Sequence, residues 1–366
     1  MAVKQLYRCT ASGMVSSNGG TPPPPPPTFV LGATKPDASN TGVPAGTVLT
    51  VLASSSAISV DGTTGKATVN TAGTVIDGAL FNFIAVNANN VTIRNSKGTG
   101  AKTAGAGYVQ SAIILINPGF TGTLIQFCET AAIYPSYWQN GISGDDFTAR
   151  RCNLHDTVDA FDTNNGNVLI EGCYVHDLSF CSNDGDHSTD PRYPYWTHND
   201  GVQIKGGQGT TVEGAWSTVI RGCNFFTYAS QTTGYDPNGY HTTASGYANY
   251  GAGVTIDNNH TQNTLIELCW FEGGDVGIQC NMAGTAPWPL GTWRNNRFGR
   301  DQHPYTGTTL YPGVGDPNGS RYQIRYATGD TIIGGTTNYW DNLPSVPPAN
   351  VGVAFSVGTT SGIRTP

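Results

Sequence analysis

A short phrase recurs along this chain, and no other feature restricts its fold as much. Val91-Thr-Ile-Arg-Asn-Ser96 returns as Thr123-Leu-Ile-Gln-Phe-Cys128, Thr148-Ala-Arg-Arg-Cys152 and Val168-Leu-Ile-Glu-Gly-Cys173. It returns again as Val219-Ile-Arg-Gly-Cys223, Thr264-Leu-Ile-Glu-Leu-Cys269 and, more weakly, Gly291-Thr-Trp-Arg-Asn-Asn296. A hydrophobic residue follows two places after the Cys or its stand-in at Leu154, Val175, Phe225, Phe271 and Phe298. The closest copies, Cys128 to Cys152 and Cys152 to Cys173, are 24 and 21 positions apart. A period this short means stacked units, each too small to bury a core alone. Units of this length made of short strands fit one turn of a right-handed parallel β-helix, which is the fold class expected here.

A second phrase interleaves with the first: Ser111-Ala-Ile-Ile-Leu, Asn140-Gly-Ile-Ser-Gly, Asp159-Ala-Phe-Asp-Thr, Asp200-Gly-Val-Gln-Ile, Ala252-Gly-Val-Thr-Ile and Val276-Gly-Ile-Gln-Cys. Each coil therefore carries at least two strands. The small Ala or Gly in each copy implies a sharp bend or a close backbone approach. The wide gaps from Cys173 to Cys223 and from Cys223 to Cys269 read as single coils carrying long inserted loops. Insertions on a solenoid project from one side and often form its binding face.

Composition agrees with an all-β chain rich in turns: 366 residues, Gly 48, Pro 22 and 12% charged. A net charge of −7 without a basic run argues against a nucleic-acid partner, and no hydrophobic stretch is long enough to span a membrane. Five of the eight Cys (Cys128, Cys152, Cys173, Cys223, Cys269) share one repeat position, about 4.8 Å apart when coils stack. They read as a row of buried, reduced thiols rather than disulfides. Met1-Ala-Val-Lys-Gln-Leu-Tyr-Arg8 lacks the apolar segment of a secretion signal. The composition nonetheless suits an extracellular setting, which fits a virion component released by lysis.

The chain divides into an N-terminal anchor segment (1–20), a polyproline spacer (21–28, with Pro22 to Pro27), a cap with first coils (29–90), a β-helix body (91–300) and a C-terminal cap or oligomerisation region (301–366). The spacer is a stiff polyproline II segment of about 3 Å per residue.

Asn40-Thr-Gly-Val-Pro-Ala-Gly-Thr-Val-Leu-Thr50, Thr74-Val-Ile-Asp-Gly78 and Asn90-Val-Thr-Ile-Arg-Asn-Ser96 resemble right-handed parallel β-helix proteins of the pectate-lyase-like superfamily. The variant resembled occurs in actinobacterial secreted proteins and in minor tail proteins of phages that infect such bacteria. This resemblance covers roughly residues 36–300 and implies a viral tail spike, with other tail proteins bound through residues 1–20. It further implies a homo-oligomer, by analogy with other viral β-helical spikes a trimer. Because the superfamily hosts lyases, hydrolases and inert spikes, function has to be argued from the site. The alternative function is a polysaccharide-degrading lyase or glycoside hydrolase.

Cys152-Asn-Leu-His155-Asp156 and Cys173-Tyr-Val-His176-Asp177 are in register, so His155 is expected to stack on His176 and Asp156 on Asp177. Asn140, Asp159 and Asp200 fall in one ladder, Asp162 comes near Gln203, and Asn164 near Lys205. Carboxylates on neighbouring coils, roughly 5 Å apart, approach the spacing of a retaining glycosidase pair. The candidate catalytic residues are Asp200, Asp159, His176 and His198. The candidate carbohydrate-binding residues are Tyr195, Trp196, Trp138, Asp162 and Lys205, because rings beside amides and carboxylates stack on sugars and bind hydroxyls. His198-Asn-Asp200-Gly201 is similar to the Asn-Thr-Asp-Gly turn of polygalacturonase-type hydrolases, whose Asp is catalytic; Gln203 stands where that family has a further Asp. The structural alternative is that Asp and Asn ladders satisfy backbone groups at solenoid turns. No cofactor is expected beyond Ca²⁺ at the loop holding Asp184, Asp186 and Asp190, which otherwise reads as a solvated polar loop without the closing Glu of an EF-hand.

Overall fold

The recurring phrase is a strand, a corner and a second strand. A computed structural model of the chain describes residues 7–10, 13–16, 29–101, 109–133, 139–164, 166–179, 199–205, 217–227, 252–257, 264–272, 276–281, 289–298, 324–325, 331–333, 337–340 and 363–364. In the strand Val168–Glu171, Val168 and Ile170 point inward and are buried, while Leu169 and Glu171 face outward. The chain then turns at Gly172, continues as Tyr174–His176, and later forms Val202–Ile204 from the second phrase. Each of these three strands pairs in parallel with its counterpart one coil away. Repetition gives three sheets of 9, 10 and 11 strands among the described residues, the walls of a parallel β-helix. The strand of the recurring phrase belongs to the first sheet, the strand after the corner to the second, and the second phrase to the third. Ile58–Val60 is an exception: it runs antiparallel to Lys66–Val69 at the edge of the third sheet.

The corner before each Cys is a left-handed residue. Positive φ occurs at Asn95, Phe127, Arg151, Gly172, Gly222, Leu268 and Asn295. Only Gly and, less readily, Asn adopt this conformation without strain, so Phe127, Arg151 and Leu268 are held there by their surroundings. The five expected thiols are free and buried. Each Sγ faces the carbonyl two residues earlier and another from a neighbouring coil, as Cys173 does toward Glu171 and Ala149 at 3.6 and 3.7 Å. Burial pushes the thiols of Cys128, Cys152, Cys173 and Cys223 well above their ordinary range, so they stay protonated. Ser96 begins the row, its hydroxyl donating to Arg94 O at 2.6 Å, and Asn296 and Asn338 continue it after Cys269.

The Ala or Gly of the second phrase marks close approach, not a bend. Gly141, Gly201 and Gly253 have ordinary φ, but a Cβ on any of them would collide with Leu154, Phe225 or Phe271 and with the backbone of the next coil. These opposing side chains belong to the hydrophobic row after the Cys, and they stack on one another: ring centroids are 5.2 Å apart for Phe225 and Phe271 and 4.9 Å for Phe271 and Phe298.

Charge is patterned on the outside. Register aligns Asp77, Arg94, Gln126, Arg150, Glu171, Arg221, Glu267 and Arg294 across successive strands of the first sheet. Opposite signs are neighbours wherever two charges are adjacent. Ion pairs form at Arg94–Asp77 (2.8 Å), Arg150–Glu171 (3.1 Å), Arg221–Glu171 (2.5 Å) and Arg294–Glu267 (3.0 Å).

Strands continue beyond residue 300: Ile324–Arg325, Thr331–Ile333, Tyr339–Trp340 and Ile363–Arg364 extend the three sheets. The repeat is hidden there because Asn338 replaces the Cys. Within the N-terminal 1–20, Tyr7–Thr10 pairs antiparallel with Gly13–Ser16 as a separate two-stranded sheet. Residues 29–42 form a strap along the side of the stack, against the left-handed corner and the second sheet. Phe29 lies over the Arg151 guanidinium at 3.7 Å, and Arg297 Nη2 donates to Gly32 O at 2.7 Å. Among the described residues no helix is long and apolar enough to cross a membrane.

Candidate functional site

Two polar clusters stand on coils joined at one edge of the solenoid. The first is on the second sheet. His155 and His176 end the strands Asn153–His155 and Tyr174–His176, and their rings stack with centroids 4.7 Å apart. Tyr174 stacks on His176 at 4.3 Å. After each His, an Asp takes a left-handed conformation (φ 55° at Asp156, 44° at Asp177), which folds its carboxylate back onto the preceding ring. His155 Nδ1 lies 2.6 Å from Asp156 Oδ2, and its Nε2 lies 3.3 Å from Glu129 Oε1. Lys97 Nζ donates to the same Glu129 oxygen at 2.6 Å.

Burial alone would lower the His155 pKa, but hydrogen bonds to Asp156 and Glu129 outweigh it and raise the value to about 9. The same His155 hydrogen bond, with Lys97, holds the Glu129 carboxyl down at about 2. His176 Nδ1 is 2.7 Å from Asp177 Oδ2, and Nε2 is 2.9 Å from Asn153 Oδ1. Both nitrogens of both rings are thus occupied within the protein. Because the rings stack coil on coil, they offer edges rather than faces to a ligand.

The second cluster is on the third sheet. Asp159 and Asp200 occupy the expected ladder, since Ala160 N donates to Asp200 O and Gly141 N to Asp159 O. Neither is a surface group: relative exposure is 6% for Asp159 and 0% for Asp200. Asp159 Oδ1 accepts from Asp200 N at 2.8 Å. Asp200 Oδ1 accepts from Ala252 N at 2.8 Å and from Thr255 Oγ1 at 2.7 Å. The two carboxyl groups therefore bind successive coils where the backbone enters the third sheet. Asp162 pairs in register with Gln203 and lies on the outer face. Its Oδ2 accepts from Asn140 Nδ2 at 3.0 Å and from Lys205 Nζ at 2.8 Å. Asp162 and Lys205 are brought together as an ion pair; the bonding partners described for His176 belong to the other cluster.

His198, Tyr195, Trp196 and Trp138 lie outside the described residues, as do Asp184, Asp186 and Asp190. Among the described residues, no group of three or more His, Cys, Asp or Glu side chains is placed to hold a metal ion. Asp156 lies in the expected register with Asp177, its N donating to Asp177 O at 3.0 Å. Glu129 and Lys97 complete the histidine cluster and were not singled out from sequence. A signal existed: Lys97, Glu129 and Asn153 each follow the Cys position or its stand-in directly.

The edge itself is organised by topology. Segments 99–111, 132–139, 177–201, 227–251, 299–323 and 341–362 all join a strand of the second sheet to one of the third. Both sheets are stacked in order, so these long connections leave from one edge. They contain Trp138, Tyr195, Trp196, Tyr240 and Tyr305. No protein-family model, no curated protein and no solved structure matches this chain.

Proposed function

We propose that this protein is a spike of a phage tail that contacts glycans of the host envelope through the connections along the edge between the second and third sheets. One observation carries the reading: six of the chain's longer connections, several of them with aromatic residues, join the same two sheets. A rigid solenoid with a row of loops along one edge suits recognition of a long polymer, because many weak contacts act together along the repeat. The aromatic rings of Trp138, Tyr195 and Trp196 supply faces for sugar rings, and the Asp162–Lys205 pair supplies hydrogen bonds to hydroxyls. Attachment to other tail proteins is assigned to residues 1–20 and assembly to a trimer, with Ca²⁺ at Asp184, Asp186 and Asp190 as the one metal candidate.

The enzymatic alternative centred on Asp200 draws no support from that residue's surroundings, because its carboxyl is buried and engaged with Ala252 and Thr255. The test is binding of the purified protein to host envelope glycans, with released sugars followed by mass spectrometry. Trp196→Ala is expected to weaken binding about tenfold or more, the loss of one stacked ring. Equal binding by Trp196→Ala and Trp138→Ala variants would remove the glycan reading. Sugar release abolished by Asp200→Asn would establish the enzyme instead.

A further inference from the structure

We infer that the left-handed corner and the adjoining second sheet form a docking surface whose occupant is this chain's own segment 29–42, and that this surface, rather than the covalent link to the first coil, holds the segment in place. The contacts are dense and specific. Going outward, Phe29 packs on Arg151 and the corner at Gly172, Leu31 fills the space a side chain would need at Gly222, and Gly32 lies on Leu268. Gly172 and Gly222 are left-handed and lack a Cβ, which is what lets the strap approach. The chain then turns, with Ala33 N and Thr34 N donating to Val30 O, and runs back down the stack. On the return, Lys35 pairs with Glu272, and Asn224 Nδ2 donates to Pro36 O at 2.8 Å. Arg151 Nε donates to Asn40 O at 2.9 Å, while Gly42 N donates to Arg151 O at 2.8 Å.

The body thus reads the strap as an extended peptide: Arg297, Asn224 and Arg151 each take one of its carbonyls. These three residues sit on different coils, so one strap spans several repeats that otherwise touch only their neighbours. The link from strap to first coil is different in kind. Pro44, Ala45, Gly46 and Val48 are exposed, and a Cβ at Gly46 would meet nothing within 4 Å. Position on the flank comes from the docking surface, and this link adds only covalent continuity.

The experiment cuts that link. A protease recognition sequence replaces residues 44–48 in the full chain, the protein is folded, cleaved and passed through a size-exclusion column. Residues 1–43 are expected to co-elute with the body. Their separation from a body that keeps its β-sheet circular dichroism would overturn the inference. In the cleaved protein, Leu31→Asp and Arg151→Ala are each expected to speed release of the fragment at least tenfold, and Lys35→Ala serves if either variant fails to fold. Release rates unchanged in all variants would place the fragment elsewhere and equally overturn it. Glycan binding enters none of these readouts, so the outcome is independent of the proposed function.

Discussion

Replacing Gly201 with Ala is expected to damage the solenoid far more than a single methyl group suggests. The new Cβ would lie 2.5 Å from Phe225 Cδ1 and closer still to Gly253 O, against about 3.4 Å for the start of ordinary contact. The Phe225 ring cannot swing aside, because it stacks on Phe271, and Gly253 O belongs to the backbone of the next coil. The two coils must therefore separate by roughly an ångström. That strains the bond from Gly201 N to Ala252 O, now 2.9 Å, and the bond from Ala252 N to Asp200 Oδ1, now 2.8 Å. Overpacking of this kind costs about 1–3 kcal/mol, and each weakened hydrogen bond adds about 0.5–1.5 kcal/mol. A total near 3 kcal/mol follows, concentrated between neighbouring coils. Hydrogen exchange read by mass spectrometry checks it: amides of Val202–Ile204 and Ala252–Asp257 should exchange roughly a hundredfold faster, and those of Phe83–Val86 should not change. Phe225→Leu in the same chain should recover part of the loss. Ala160 occupies the same position one coil earlier, in the row where its opposing residue is the smaller Val175, so Ala160→Gly should cost only about 0.5–1 kcal/mol. Wild-type exchange in the Gly201→Ala variant would refute the close-approach account of these glycines.

Glu171→Lys removes two ion pairs and sets three cations in a row with Arg150 and Arg221; a loss of about 1–3 kcal/mol is expected, shrinking in 1 M salt, and urea unfolding at two salt concentrations measures it. Cys173→Ser should fold normally, since Ser96 holds the same row position, whereas Cys173→Leu should not; circular dichroism and soluble yield decide. His155, raised to about 9 from 6.5, adds stability that is complete below about pH 6.5 and fades as pH rises through 9. Glu129, lowered to about 2 from 4.5, adds stability that is present above pH 4.5 and fades as pH falls toward 2. His155 owes its rise first to Asp156 and then to Glu129, and Glu129 owes its fall first to His155 and then to Lys97. His155→Ala should therefore flatten the alkaline limb and weaken the acid limb of a pH–stability curve.

Much of the fold was legible because parallel, in-register stacking turns alignment of a sequence with itself into spatial contact. That logic put Cys128 through Cys269 in one buried row, His155 on His176 and Asp162 beside Gln203. It also contained the alternating charge row, since Arg94, Arg150, Glu171, Arg221, Glu267 and Arg294 all precede the Cys position by two. The strap was not legible: its partners lie as far away as Arg297, and it carries no repeat to align. Nor was the depth of Asp159 and Asp200. Register sets neighbours along the axis, but whether a side chain at a sheet entrance turns outward or caps the next amide depends on local backbone geometry.

The alternation of charge on the first sheet acts as a parity rule on the length of the protein. Excising the one coil that carries Glu171 would bring Arg150 against Arg221, cation on cation. Excising that coil together with the next would bring Arg150 against Glu267 and leave the row intact. Duplications obey the same arithmetic. Within this stretch, a lineage of such chains can lengthen or shorten most easily by two coils at a time, and a coil that slips past one neighbour during folding meets repulsion where slipping past two would meet none.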